Sequence, residues 1–184
     1  MEKINKKDQD THIQPFDSII KDYQENHFID TAKPVWNFSL LTAEDVTNFQ
    51  QGTHYRIYEK FGSHSIKIND IWGMYFCVWA PNATALTVIG NFNDWDKNAH
   101  SLFPRWDKSG IWEGFIPKFN LGETYKYHIV GFEGRAVDKG DPVSHFWEKR
   151  PLTGSISWDL HYDWNDKSWM KKRKQHNSLD APWS

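Results

Sequence analysis

Apolar and polar positions along this chain change period twice. Residues 1 to about 15 are polar and aperiodic, a pattern that predicts disorder. Phe16, Ile19, Ile20 and Tyr23 then fall at helical spacing and predict a short amphipathic helix from Asp17. A second helix is marked more clearly. Thr42 is a good N-cap, Leu41 and Val46 stand where a hydrophobic staple would place them, and Gly52 supplies the stop. Val46 and Phe49 give that helix one apolar edge.

From about residue 64 the pattern becomes short β-type runs broken by turn residues. Trp72 to Trp79 is apolar on both faces, as a central strand buried on two sides would be. The following Ala80-Pro81-Asn82 ends it, because proline cannot donate to a ladder. Ala85 to Gly90 reads as the next strand, and Asn91 to Lys97 as a polar loop carrying two aromatics. Ser101 to Phe103 is a weak strand signal, and Ile111 to Ile116 a stronger one. Thr124 to Val130 alternates strictly, with Tyr125, Tyr127 and Ile129 on one face and Lys126, His128 and Val130 on the other. A turn at Gly131 to Gly134 and runs at Ala136 to Lys139 and Ser155 to Trp158 complete the set. Short strands at this spacing predict a mainly β chain, an immunoglobulin-like antiparallel β-sandwich with short N-terminal helices. Asp166 to Asn177 reads as a short C-terminal helix with a basic end, Lys171 to Lys174. The predicted organisation is a lead at 1–15, a helical extension at 16–52, the sandwich at 53–165, and a helix and linker at 166–184.

Composition sharpens this in one respect. Aromatic residues make up 16% of the 184 positions and include 11 tryptophans, more indoles than a core this small can hide. Some must lie at the surface, where they suit flat, partly apolar partners; the C–H face of a sugar ring is one. The net charge of −2 gives no reason to expect nucleic acid. The opening residues lack the apolar core of a signal peptide, and no run is long enough to span a bilayer, so a cytoplasmic location is the default.

Motifs for chemistry are missing. The sequence holds no nucleophile elbow, phosphate loop or dinucleotide fingerprint, and its nine histidines are not spaced for a metal, so neither cofactor nor metal is expected. Cys77, the single cysteine, lies in an apolar strand and reads as a buried structural thiol. Asp94 and Asp96 flank a tryptophan in a polar loop where both stay ionised. Glycoside hydrolysis instead needs one carboxyl held protonated across a bound sugar. Trp95 in that loop reads equally as an exposed stacking platform or as a lid folded over one edge of the core. Lys126 taken alone reads as part of a solvated sheet face.

Several runs, taken together, resemble one family. Gly52-Thr53-His54-Tyr55-Arg56-Ile57-Tyr58-Glu59-Lys60-Phe61-Gly62, then Phe76-Cys77-Val78-Trp79-Ala80-Pro81-Asn82-Ala83, then Gly90-Asn91-Phe92-Asn93-Asp94-Trp95 occur in the order seen in bacterial glycogen branching enzymes. Gly110-Ile111-Trp112-Glu113, Tyr125-Lys126-Tyr127, Asp141-Pro142, Arg150-Pro151 and Leu179-Asp180-Ala181-Pro182 follow. Several of these runs also resemble isoamylases, pullulanases and glycogen-binding regulatory subunits. The resemblance covers about residues 40–184 and implies a carbohydrate-binding module of family 48, a β-sandwich that precedes a catalytic (β/α)8 barrel.

The resemblance implies that the chain ends about where the first barrel strand should begin, so that the catalytic carboxylates lie outside it. It implies that this region binds α-1,4-glucan or glycogen without catalysing, and that the barrel of the same full-length chain is its partner. Trp95 matches the family's stacking tryptophan and Lys126 its sugar-contacting lysine. Asn93 in the same loop, and Thr153 and Ser155 further on, are expected to add hydrogen bonds. The family's second stacking tryptophan has no counterpart at Glu133-Gly134-Arg135-Ala136. One stack contributes about 1 kcal/mol and millimolar binding already requires roughly 4, so weak binding is expected. Trp147, Trp158, Trp164 and Trp169 are expected on the face that meets the barrel. Two other readings compete: a module that only braces the barrel, and a regulatory glycogen-binding subunit.

Overall fold

A computed structural model describes residues 16–160 and 164–176. The expectation of disorder at 1–15 and the Asp-Ala-Pro motif at 180–182 lie outside the described residues.

Two short helices come first, α1 (Asp17–Asn26) and α2 (Ala43–Gln50), followed by a 3-10 turn at Ile57–Glu59. Thr42 caps α2 as its sequence suggests. Its hydroxyl accepts from Asp45 N at 3.2 Å, while its own N–H donates to Asp45 Oδ2 at 2.7 Å. The Gly52 N–H closes the last turn onto Phe49 O at 3.0 Å. Asp45 also receives Lys60 Nζ and contacts His54 Nε2 at 2.9 Å, which ties α2 to the 3-10 turn.

Among the described residues nine strands follow: β1 (Gly62–Ile68), β2 (Ile71–Trp79), β3 (Ala83–Gly90), β4 (Phe103–Pro104), β5 (Ile111–Pro117), β6 (Thr124–Gly131), β7 (Ala136–Lys139), β8 (Phe146–Trp147) and β9 (Ser155–Ile156). One sheet has the order β1-β2-β5-β4; the other runs β3-β6-β9-β8, with β7 also paired to β6. All pairings are antiparallel. This is the sandwich the spacing predicts. The run at Ser155 to Trp158 keeps its ladder only as far as Ile156. Phe146–Trp147, which sequence pattern does not mark, forms the edge strand beside it. The C-terminal helix, α3, spans Lys167–His176.

Two apolar layers hold these elements. Between the sheets lie Met74, Phe76, Val78, Leu86, Val88, Trp112, Tyr125 and Tyr127. On the other side of the first sheet lie Tyr75, Cys77, Ile66, Ile68 and Phe115, covered by Ile20, Trp36, Phe38, Leu40 and Val46. The segment before α2 therefore belongs to the core. Trp36 exchanges both backbone hydrogen bonds with Phe115, at 2.7 and 2.9 Å, and its alternate neighbours Phe38 and Leu40 are fully buried.

A polar knot lies within this second layer. Glu113 accepts from Arg105 at 2.6 Å, from Tyr75 OH at 2.6 Å and from Ser39 Oγ at 2.9 Å. Burial pushes the Glu113 carboxyl up, against the pull of Arg105. Cys77 is buried and its thiol is pushed well up by the same desolvation, as a structural cysteine's would be.

Phe38→Ala is expected to lower stability by about 3–5 kcal/mol, because it opens a cavity under β2. A loss below about 1 kcal/mol in urea melts would show that residues 35–41 are a dispensable cover. Partial burial pushes the Asp45 carboxyl up, but the hydrogen bonds from Lys60, Thr42 and His54 outweigh it and hold it well below the ordinary range. A depressed carboxylate contributes stability that is present above the unfolded value, near 3.9, and is lost as pH falls below it. Asp45→Asn should cost about 1–2 kcal/mol at neutral pH and flatten the fall in Tm between roughly pH 4 and pH 2. Parallel Tm profiles for the two proteins would remove Asp45 from the acid response.

Candidate functional site

The outward face of the second sheet is set by what β6 buries. Tyr125 and Tyr127 point into the core and donate to Asp141 Oδ2 at 2.8 and 3.0 Å. Alternation along the strand therefore turns Lys126 and His128 to the other face. His128 Nδ1 meets Asp138 Oδ1 of β7 at 2.6 Å, and Asp138 Oδ2 lies 3.4 Å from Lys97. Partial burial raises the Asp138 carboxyl, but the His128 and Lys97 partners outweigh it and the net shift is downward.

Above this face the loop after β3 turns sharply. A Cβ on Gly90 would come within 2.2 Å of Thr124 O, so only glycine lets β3 and β6 approach so closely here. Asn93 then ties the loop shut. Its Oδ1 accepts from Gly90 N at 2.9 Å, its Nδ2 donates to Val88 O at 3.1 Å, and the same nitrogen lies 3.0 Å from His100 Nδ1. Asp94 and Trp95 both adopt left-handed backbone, with φ of 52° and 60°. The Trp95 N–H returns to Gly90 O at 2.9 Å, and its indole Nε1 donates to Asn91 Oδ1 at 3.1 Å. The ring is thereby held in place while the residue remains 38% exposed.

Lys126 is half-buried, and its Nζ donates to Thr153 Oγ1 at 2.9 Å. Gly90, which anchors Trp95, pairs with Tyr125, the neighbour of Lys126. Trp95, through its anchor on Gly90, and the Lys126–Thr153 pair thus belong to the same end of the sheet. The other two residues expected to bind sugar are committed elsewhere. The Asn93 amide is spent inside its own loop. Ser155 is fully buried, and its hydroxyl accepts from Asp141 N at 2.8 Å, so no ligand reaches it from solvent. Its register opposite Tyr125 puts it on the core side. Sequence reading also missed Asp138 and Lys97, although the alternation that turns His128 outward already implied a partner on the adjacent strand.

Residues 60–144 match the family described as carbohydrate-binding module 48, the isoamylase N-terminal domain. That stretch, somewhat under half of the chain, is similar to a family 48 carbohydrate-binding module. Over a longer stretch, the chain is 46% identical over 143 residues to the 1,4-alpha-glucan branching enzyme GlgB of Thermosynechococcus vestitus, covering 77% of this chain and 18% of that protein. The 1,4-alpha-glucan branching enzyme GlgB of Aquifex aeolicus is likewise 46% identical, over 145 residues, 79% of this chain and 23% of that protein. The chain thus spans about a fifth of the length of the curated relatives it matches. Among solved structures, apo pullulanase from Klebsiella pneumoniae matches 54% of this chain and 11% of that one, at 21% identity and a TM-score of 0.40.

The four tryptophans expected on the barrel-facing side are all partly open to solvent: Trp147 at 44%, Trp158 at 48%, Trp164 at 73% and Trp169 at 55%. Trp158 packs against Phe146 with ring centroids 5.0 Å apart, and Arg173 lies over the Trp169 ring at 5.9 Å. Trp147 stands apart from these. It lines an open cleft of about 700 Å³ in the bend between β8 and β9, with Glu148, Arg150, Pro151, Leu152 and Thr153. Among the described residues no cluster of side chains suits a metal ion, and no helix is long and apolar enough to cross a membrane.

Asn93→Ala is expected to speed hydrogen exchange roughly tenfold at the Gly90 and Trp95 amides, since each lost bond contributes about 1 kcal/mol. Exchange at Tyr127, inside the ladder, should not change. Unaltered rates at Gly90 and Trp95 would mean that the loop holds its shape without the Asn93 amide.

Proposed function

We propose that this module binds α-1,4-glucan, as in glycogen, on the surface formed by Trp95, Lys126 and Thr153, and positions it for a branching enzyme's catalytic barrel without itself catalysing. The observation that carries this reading is Trp95, pinned through its indole N–H to Asn91 yet more than a third exposed, in a loop anchored on Gly90, whose ladder partner Tyr125 precedes Lys126. A fixed aromatic face loses little entropy when a sugar ring stacks on it, and the ammonium and hydroxyl beside it suit sugar hydroxyls. The relatives named as branching enzymes supply the polymer class. The same likeness supports a role in glycogen synthesis within a longer protein.

A second reading, a module that braces the barrel, is favoured by the exposed indoles. Trp158, Trp164 and Trp169 lie late in the chain, in or before α3, and leave apolar surface of the kind that marks an interface. The two roles are compatible, because Trp95 and these indoles belong to different parts of the chain.

Affinity electrophoresis in glycogen-containing gels tests the sugar site. Trp95→Ala is expected to reduce retardation, with a three- to tenfold weaker apparent Kd, the size of one aromatic stack. Equal retardation of both proteins would remove Trp95 as the platform. No retardation of the wild type at any glycogen concentration would leave only the bracing role.

A further inference from the structure

We propose that the cleft in the β8–β9 bend is a second contact site for the same α-glucan chain, with the Trp147 ring as its aromatic face. The inference rests on the glucan-binding reading above and deepens it, since no aromatic stands at residues 133–136 to act as a second platform.

Trp147 is seated by a glycine. A Cβ on Gly140 would lie 2.4 Å from ring atom Cζ3 and 2.7 Å from Cη2, so the indole occupies the space that any side chain at 140 would take. The ring is supported from beneath by backbone and 44% of the residue remains open. The rim of the cleft is polar. Glu148 uses Oε2 to accept from Gly154 N at 2.7 Å, which fixes its carboxylate and leaves Oε1 for a hydroxyl. Arg150 and Thr153 also line the cleft, so a carboxylate, a guanidinium and a hydroxyl share it with one flat ring. That set has no net charge and mixes donors with acceptors around an aromatic floor. It suits a neutral polyol better than an apolar helix or a charged chain.

The cleft meets the first site at Thr153, although Trp147, paired with Ser155, belongs to the core-side row of its edge strand and reaches the cleft from that side of the sheet edge. Thr153 lines it and also accepts from Lys126 Nζ at 2.9 Å. In the sheet Gly90 pairs with Tyr125, Tyr125 with Ser155, and Ser155 with Trp147. The backbone that anchors Trp95 and the backbone of Trp147 therefore stand three strand spacings apart, about 14 Å. A glucan of several units reaches across that distance, whereas maltose does not. This assignment separates Trp147 from the group of Trp158, Trp164 and Trp169.

The test follows tryptophan indole N–H resonances of the whole 15N-labelled chain during titration with maltoheptaose and with maltose. Maltoheptaose is expected to shift both the Trp95 and the Trp147 indole signals. Trp147→Ala and Gly140→Ala should each weaken maltoheptaose binding three- to tenfold and leave maltose binding unchanged. Gly140→Ala keeps the indole but displaces it, and the wild-type titration needs no variant to fold. A shift at Trp95 without one at Trp147 would sink the second site and leave the first intact. Failure of maltoheptaose to move either indole would sink glucan binding itself, and this inference with it.

Discussion

Everything in this structure depends on burying β2 on both faces. Met74, Phe76 and Val78 face the second sheet, while Tyr75 and Cys77 face the other way and meet Phe38, Trp36 and Leu40. A sandwich of two sheets supplies cover for only one face of such a strand. The second face would present Tyr75, Cys77, Ile66, Ile68 and Phe115 to water if residues 35–41 did not lie across it. The hydrophobic effect thus makes the N-terminal segment a third layer, and the Glu113 knot fixes where that layer sits. Arg105, Ser39 and Tyr75 reach Glu113 from three separate parts of the chain, so the carboxylate is satisfied only when all three are in place.

With the outside of the first sheet covered, the sheet face left towards solvent is the outside of the second. Its arrangement follows from a second buried carboxylate. Asp141 holds Tyr125 and Tyr127 by their hydroxyls and uses its own N–H on Ser155. Desolvation pushes this carboxyl up, and the hydrogen bonds from Val143 N and the two tyrosines counter it. Fixing the tyrosines inward leaves Lys126 on the outer face, within reach of Thr153. The same contact withdraws Ser155 from that face. One buried group thereby decides which of two neighbouring polar residues on the β8–β9 side stays open to solvent.

The Trp95 loop is organised differently, by backbone geometry. Two consecutive left-handed residues reverse the chain so tightly that the Trp95 N–H reaches back to Gly90 O. A tryptophan in left-handed backbone is strained relative to a glycine or an asparagine there. The Asn93 amide and the Asn91–indole bond hold it in that state. The strain and the restraint together produce a ring that is neither a buried lid nor a free side chain, which resolves the alternative its loop composition left open.

Much of this was legible from local pattern. The cap at Thr42 and the stop at Gly52 follow from side-chain chemistry that acts within one turn. Strict alternation in Thr124 to Val130 separates its two faces, and the apolar run from Trp72 to Trp79 announces a strand covered on both sides. Local pattern did not say what covers it, because the partners, Trp36 and Phe38, lie more than thirty positions away in a segment that reads as an extension. Nor could it sort Asn93 and Ser155 from Lys126 and Thr153. All four are polar residues in suitable places, and a polar side chain's role depends on whether the group that satisfies it is its own backbone, a distant buried carboxylate or solvent. Periodicity fixes the direction in which a side chain points. Only packing between distant segments decides what it meets there.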